Sequence, residues 1–298
     1  MRPGTVRDIL NKEGITHWEN EAKACEALCV MDDCRDLNDY LSKFEYPCRA
    51  LKTPEHIERA FFELGEDLYN QGISYGEIRF APQLSIGEIN ENEAVEAAIK
   101  GVKKAETEYD IRLGIILCCM RTTEHEHNFL TVEAARKYLG EHVCAIDLAG
   151  AEGIYPTENF EQEFVMARKY DIPFTIHAGE AAGPESIWKA LEFGASRIGH
   201  GIRCIEDGAL IDYLARYEIP LEICPISNMQ TRVYTDMRNY PLKELLLNGV
   251  CATLNTDNMT VSNTCLADQI KFVKTNCDIT DEDIKLMEEY SKKAAFLL

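Results

Sequence analysis

No apolar stretch in the 298 residues approaches the roughly 20 needed to span a bilayer. The opening Met1-Arg2-Pro3-Gly4-Thr5-Val6 has none of the features of a secretory signal. Basic residues are in short supply: 31 Lys and Arg stand against 51 Asp and Glu, a net charge of −20. An acidic surface repels nucleic-acid backbones and anionic lipid, so neither nucleic acid nor membrane is expected as a partner. No low-complexity tract, alignable repeat or Pro/Gly/Ser linker divides the chain, and a single domain over residues 1–298 is expected. Neither G-x-G-x-x-G nor G-x-x-x-x-G-K-[ST] occurs, which removes the phosphate signatures of open nucleotide-binding sheets.

The 12 cysteines follow no zinc-knuckle or ferredoxin spacing. Cys25, Cys29 and Cys34 read as apolar positions on short helices. Cys118, Cys119, Cys144, Cys224 and Cys251 fall in apolar runs. Buried free thiols of this kind belong to a reducing compartment, so a cytoplasmic location is expected.

What the chain does have is strand followed by helix. Strands are expected at Tyr75–Phe80, Arg112–Met120, Val143–Leu148, Pro173–His177, Arg197–His200, Leu221–Pro225 and Val250–Asn255. Most are short continuous apolar runs, as strands covered on both faces of a parallel sheet should be. Their spacing is that of a βα unit. Thr53-Pro54-Glu55 supplies an N-cap, a first-turn proline and a first-turn acid. Ile57, Ala60, Phe61, Leu64 and Leu68 then form one helical stripe, and Gly72 is its expected stop. Thr280-Asp281-Glu282-Asp283 opens the last helix, whose final apolar turn is Ala294-Ala295-Phe296-Leu297-Leu298. The fold class expected is α/β, a (β/α)₈ TIM-type barrel. Only seven strands are found, and helical segments beginning at Thr5–Lys12 precede the first. The first strand is therefore missing from this chain and is expected to lie before Met1.

Three strand ends carry chemistry. His177-Ala178-Gly179-Glu180 follows Phe174-Thr175-Ile176, with a glycine that lets the backbone turn tightly between imidazole and carboxyl. His200 lies between Gly199 and Gly201, and Asp257 closes the last run. In a barrel these tips converge on one face. One imidazole and one carboxylate suit a divalent ion such as zinc. The other imidazole and carboxyl suit general acid and base work. The residues alone thus point to metal-assisted hydrolysis.

Together with Ile146-Asp147-Leu148-Ala149-Gly150 and Cys224-Pro225-Ile226-Ser227-Asn228, these segments resemble, in order and spacing, the signatures of adenosine deaminases. The resemblance covers nearly the whole chain. It implies a zinc-dependent barrel that hydrolyses the 6-amino group of adenosine, and of 2′-deoxyadenosine, to inosine and ammonia in purine salvage, so the partner is a small purine nucleoside. It implies His177 and Asp257 as zinc ligands, and Glu180 as the acid that protonates purine N1. His200 would orient or deprotonate the attacking water, Gly150 would offer a backbone N–H to the purine, and Asn258 would face N7. The segment from Leu41 to Gly72 resembles the region that covers the nucleoside.

The chain departs from the family twice. Asn258 stands where an Asp is usual, and an amide can still donate to N7. The His-x-His pair of the family's first strand, which supplies two zinc ligands, is absent, so zinc is expected to be held weakly or not at all. His125-Glu126-His127 has the right spacing but lies past the end of its strand. Two alternatives stay open: a non-catalytic or truncated purine-binding homologue, and a deaminase of adenine or of an N6-substituted adenine nucleotide, for which Arg121 and Arg203 are the candidate cations. Oligomeric state is not legible.

Overall fold

Seven strands run in chain order: β1 (Tyr75–Phe80), β2 (Arg112–Met120), β3 (Val143–Ala149), β4 (Thr175–Ala178), β5 (Arg197–His200), β6 (Leu221–Ile223) and β7 (Ala252–Leu254). The structure is a computed structural model that describes residues 1–31 and 34–297. Every strand pairing is parallel and joins neighbours in sequence. The Ile146 amide donates to the Pro173 carbonyl at 3.0 Å, and this bridge carries β3 over to β4. With helices between the strands, all seven C-terminal tips face the same end. Among the described residues no ladder joins β7 to β1.

The strands are apolar because they are covered on both sides. Leu113 to Cys119 of β2 are all buried, as are Val143 to Leu148 of β3. The helix Pro54–Asn70 shows how sequence sets the wall. The Thr53 hydroxyl accepts from the His56 amide at 3.3 Å, Pro54 stands at the first position, and Ile57, Ala60 and Phe61 are buried. Gly72, at φ +77°, ends it. No helix among the described residues is long and apolar enough to cross a membrane.

The bore of the barrel is charged. Arg197 of β5 pairs with Glu77 of β1 at 2.6 Å and with Glu222 of β6. Arg79 of β1 pairs with the same Glu222 and lies 3.4 Å from Asp147 of β3. Buried charges persist only when paired in this way.

Several expectations need adjusting. Pro173 precedes β4 and does not belong to it, and Pro225 opens the helix Pro225–Gln230 in place of ending β6. Proline cannot donate to a ladder but suits a first helical turn. The strand expected over Val250–Asn255 contracts to Ala252–Leu254, so Asp257 lies three residues past it. Cys25 lies in the helix Glu21–Leu28 and Cys29 caps it, but Cys34 falls in a loop. All 12 cysteines are free.

The last helix ends at Ala294, and Ala295–Leu297 leave it; Leu298 lies outside the described residues. The Phe296 amide donates to Glu77 at 2.7 Å, and the Leu297 amide donates to the Tyr75 hydroxyl at 3.2 Å. The Arg197 guanidinium lies 4.1 Å from the Phe296 ring centroid and donates to the Ala294 carbonyl at 2.9 Å. The apolar tail therefore packs at the start of β1, at the end of the bore away from the strand tips.

Candidate active site

His177 is the third residue of β4 and His200 the last of β5. The parallel register sets His177 against Gly199 and Ala178 against His200. The two imidazole centroids are 5.2 Å apart. Gly199 permits this approach, because a Cβ there would lie 3.0 Å from His177 Cα and 3.1 Å from its ring.

His177 Nδ1 lies 2.7 Å from Asp147 Oδ2. The other Asp147 oxygen accepts from the backbone amides of Leu148 at 2.7 Å and His177 at 3.2 Å. Burial opposes ionisation of Asp147, but the neighbouring His177 and Arg79 charges hold it well below the usual carboxylate range. Burial likewise opposes charge on His177, and the same carboxylate outweighs it and raises the imidazole. With Nδ1 turned toward the Asp147 carboxylate, Nε2 is the nitrogen left to meet a metal or substrate.

Glu180 is 5% exposed. Burial is the main force pushing its carboxyl above the ordinary range; His200 works against the shift and Asp257 adds to it. Its Oε2 lies 3.6 Å from His200 Nε2, and Oε1 accepts from the Thr231 hydroxyl at 3.4 Å. On its far side, His200 Nδ1 is 3.1 Å from the Asn228 amide nitrogen, whose oxygen accepts from the Tyr240 hydroxyl at 2.7 Å. The tyrosine fixes which end of the amide faces His200. Asn228 donates to Nδ1, so neutral His200 carries its proton on Nε2, the side facing Glu180.

Each Asp257 oxygen accepts one hydrogen bond: Oδ2 from the Ser227 hydroxyl at 2.7 Å and Oδ1 from the Asn258 side-chain amide at 2.6 Å. Adjacent residues Ser227 and Asn228 thus tie Asp257 and His200 together. His200 at φ 55° and Asp257 at φ 54° both sit in the left-handed region, a conformation costing about 1–3 kcal/mol at a non-glycine residue and frequent at functional sites. Gly150 stands just past the tip of β3 on the same face, beside Met120 and Arg121. Just before the segment from Leu41 to Gly72, the Tyr40 hydroxyl meets Ser262 at 2.7 Å, five residues past Asp257.

His125 and His127 stay apart from this cluster. His125 Nδ1 pairs with Glu163 at 2.6 Å and His127 Nδ1 with Glu91 at 2.8 Å. His177 Nε2 and the Asp257 carboxylate are the donors available to a metal. Among the described residues no group of three or more His, Cys, Asp or Glu is placed to hold one. Zinc takes three or four protein ligands, so this donor set falls short of it.

Sequence reasoning assigned no role to Asp147, Glu152, Ser227 or Asn228, and considered Arg121 only as a candidate cation for a nucleotide. Asp147 did carry a signal, a lone acid inside the apolar run Val143–Leu148. Glu152 carried none, being one loop acid in an acidic chain.

The adenosine deaminase family model matches residues 1–298. The adenosine deaminase of Haemophilus ducreyi is 42% identical over 304 aligned residues, covering 100% of this chain and 88% of that one. Among solved structures, the adenine deaminase of Arthrobacter aurescens superposes with a TM-score of 0.90 at 21% identity, over 100% of this chain and 90% of its own. An amidohydrolase from Burkholderia ambifaria, with bound Zn, superposes with a TM-score of 0.91 at 18% identity, over 100% and 83%. The two structures share the fold, an α/β TIM-type barrel. With a family match along its whole length and a relative at 42% identity, the chain belongs to the adenosine deaminase family and is an aminohydrolase.

Proposed function

We propose that this chain, as a single domain in the cytoplasm, hydrolyses the 6-amino group of adenosine and 2′-deoxyadenosine, giving the inosine nucleoside and ammonia, in purine salvage. The observation that carries this reading is the buried Glu180 carboxyl, pushed toward its protonated form, 3.6 Å from an imidazole nitrogen that bears a proton. A protonated carboxyl can deliver its proton to purine N1, relieving charge where it builds as C6 is attacked. Addition places the water oxygen on C6 and the Glu180 proton on N1. The proton shed by the water restores the carboxyl; the remaining hydroxyl proton then passes to the 6-amino nitrogen as the C6–N bond breaks, which releases ammonia and leaves the C6 carbonyl of inosine. His200, with Nδ1 held by Asn228, presents Nε2–H and so orients the attacking oxygen by donating to it. Of the two roles open from the sequence, the geometry favours orientation over deprotonation.

The Gly150 amide meets the purine. One Asn258 N–H is taken by Asp257, which leaves its second N–H for N7. His177 and Asp257 are the zinc donors in this reading. Two donors do not complete a zinc site, and the chemistry above rests on the chain's own groups.

A nucleotide substrate is less well served. Arg121 donates to the carbonyls of Tyr155 at 2.7 Å and His177 at 2.6 Å and to Thr157 at 3.0 Å. Arg203 is tied to Glu206 at 2.7 Å and to the Ala181 carbonyl at 3.0 Å. Both candidate cations are engaged in holding the chain.

The test offers the purified chain adenosine, 2′-deoxyadenosine, adenine and an N6-methylated adenine nucleotide in parallel, with ammonia as the readout. Equimolar ammonia and inosine from adenosine, with the other two non-nucleosides or nucleotides slower, is the expected result. A folded protein that releases no ammonia from any of them is a purine-binding homologue and the proposal fails.

A further inference from the structure

Beneath the turn that carries Glu180 lies a carboxylate with no part in the chemistry above. Glu152, in the loop after β3, is 3% exposed. Its Oε1 accepts from the Gly179 amide at 2.7 Å and from the Ser186 hydroxyl at 2.5 Å. Its Oε2 accepts from the amides of Glu180 at 3.1 Å, Ala181 at 2.8 Å and Ala182 at 2.9 Å. Four successive backbone N–H groups therefore converge on one side chain. Such a turn is a concavity that demands an anion, and Gly179, at φ +73°, is what lets the chain close around it. Burial opposes charge on Glu152, yet the Ser186 hydroxyl and these amides hold its carboxyl below the ordinary range, so the anion is present.

The other side of the turn is held as well. Arg121 Nη2 donates to the His177 carbonyl and to Thr157, and Thr157 meets Ser186 at 2.8 Å. Residues 177–182 thus sit between a guanidinium on their carbonyl side and a carboxylate on their amide side.

We propose that Glu152 is a positioning residue of the deamination: it clamps the 179–182 turn so that the Glu180 carboxyl stays aimed at the purine, without touching substrate itself. This rests on the reading of Glu180 as the proton donor to N1. The clamp explains why an acid occupies a buried site beside another acid, where like charge would otherwise be avoided.

The test is Glu152→Gln, which keeps length and shape but has one acceptor oxygen and turns an NH₂ group toward backbone N–H groups. Expected is a fall in kcat on adenosine of about 100-fold with KM within about threefold, as for misplacement of a reacting group. Backbone amide hydrogen exchange should accelerate in peptides covering residues 178–183 and not in the other strands. Glu152→Asp keeps the charge but draws it back by one methylene; it should recover about tenfold of the loss and part of the local protection, and it decides by the same readouts if the Gln variant does not fold. Unchanged kcat in Glu152→Gln overturns the proposal. So does faster exchange spread over the whole barrel, or an Asp variant no better than Gln. Wild-type protein without turnover would be a failure of the adenosine reading. Exchange at 178–183 then still decides whether Glu152 holds the turn, and unchanged protection there overturns it.

Discussion

An acid that must hold its proton at neutral pH has to be kept from water, and Glu180 is. Burial is the largest influence raising its carboxyl, Asp257 adds to the shift, and His200 partly offsets it. The sign follows from the role. The reaction needs the protonated form, so activity is present below the raised value and lost as pH climbs through it. A Glu180→Gln variant can still donate a hydrogen bond to N1 but cannot transfer a proton; its kcat should drop by about 10²–10⁴, with the alkaline fall in the kcat–pH profile gone. If that alkaline fall persists unchanged in Glu180→Gln, the limb belongs to another group and the assignment is wrong. His177, Glu180, His200 and Asp257 were legible in the sequence because each stands at or just past the end of an apolar run, where a side chain must face the barrel mouth. The residues that hold them were not. Nothing local distinguishes Glu152 from other loop acids, and the segment 224–228 does not say which atom Asn228 holds; their meaning comes only from segments brought together across the sheet.

The elements were legible for a similar reason and with a similar gap. A run such as Leu113-Gly114-Ile115-Ile116-Leu117 can satisfy its apolar side chains only inside a two-sided wall. The gap shows at the prolines: Pro173 and Pro225 were read as strand residues, whereas the first precedes β4 and the second opens a helix. The charged bore was written in the strands as Glu77, Arg79, Asp147, Arg197 and Glu222, but pairing partners on different strands cannot be read without the register. The tail is the clearest case. Phe296 and Leu297 read as the apolar end of a helix, whereas Phe296 lies against Arg197 and both pack on Ile116, Cys144 and Ala145. Phe296→Ala removes a half-buried ring that also covers Arg197, and should cost about 2 kcal/mol, less than full burial of a phenylalanine would. Denaturant unfolding measures the loss. Since the tail packs at the opposite end of the bore from the strand tips, kcat and KM for adenosine should match the parent. A variant of unchanged stability, or one whose kcat falls with its stability intact, would show that the tail is not a purely structural plug.

At the scale of the whole molecule, charge and donor geometry pull a metal ion in different directions. A net charge of −20 attracts any dication, but across a surface that attraction fades within about 8 Å at physiological salt and sets no stoichiometry. Retention depends on ligands that converge. His177 offers one nitrogen and Asp257 one carboxylate, oriented by Ser227 and Asn258, which is two donors from the chain. Arg79, paired to Asp147 just behind His177, adds positive charge close to where the ion would sit. Protein loaded with zinc and then passed through a desalting column should therefore keep well below one ion per chain by elemental analysis. His177→Ala should lower the little that remains. Stoichiometric zinc surviving that step, and lost in His177→Ala, would mean that binding recruits a third donor which the described arrangement does not bring to the site. His200 is one candidate, since its ring lies 5.2 Å from that of His177; recruiting it would break its contact with Asn228 or turn Nε2 away from Glu180, so the same titration would change the assignment of the orienting group.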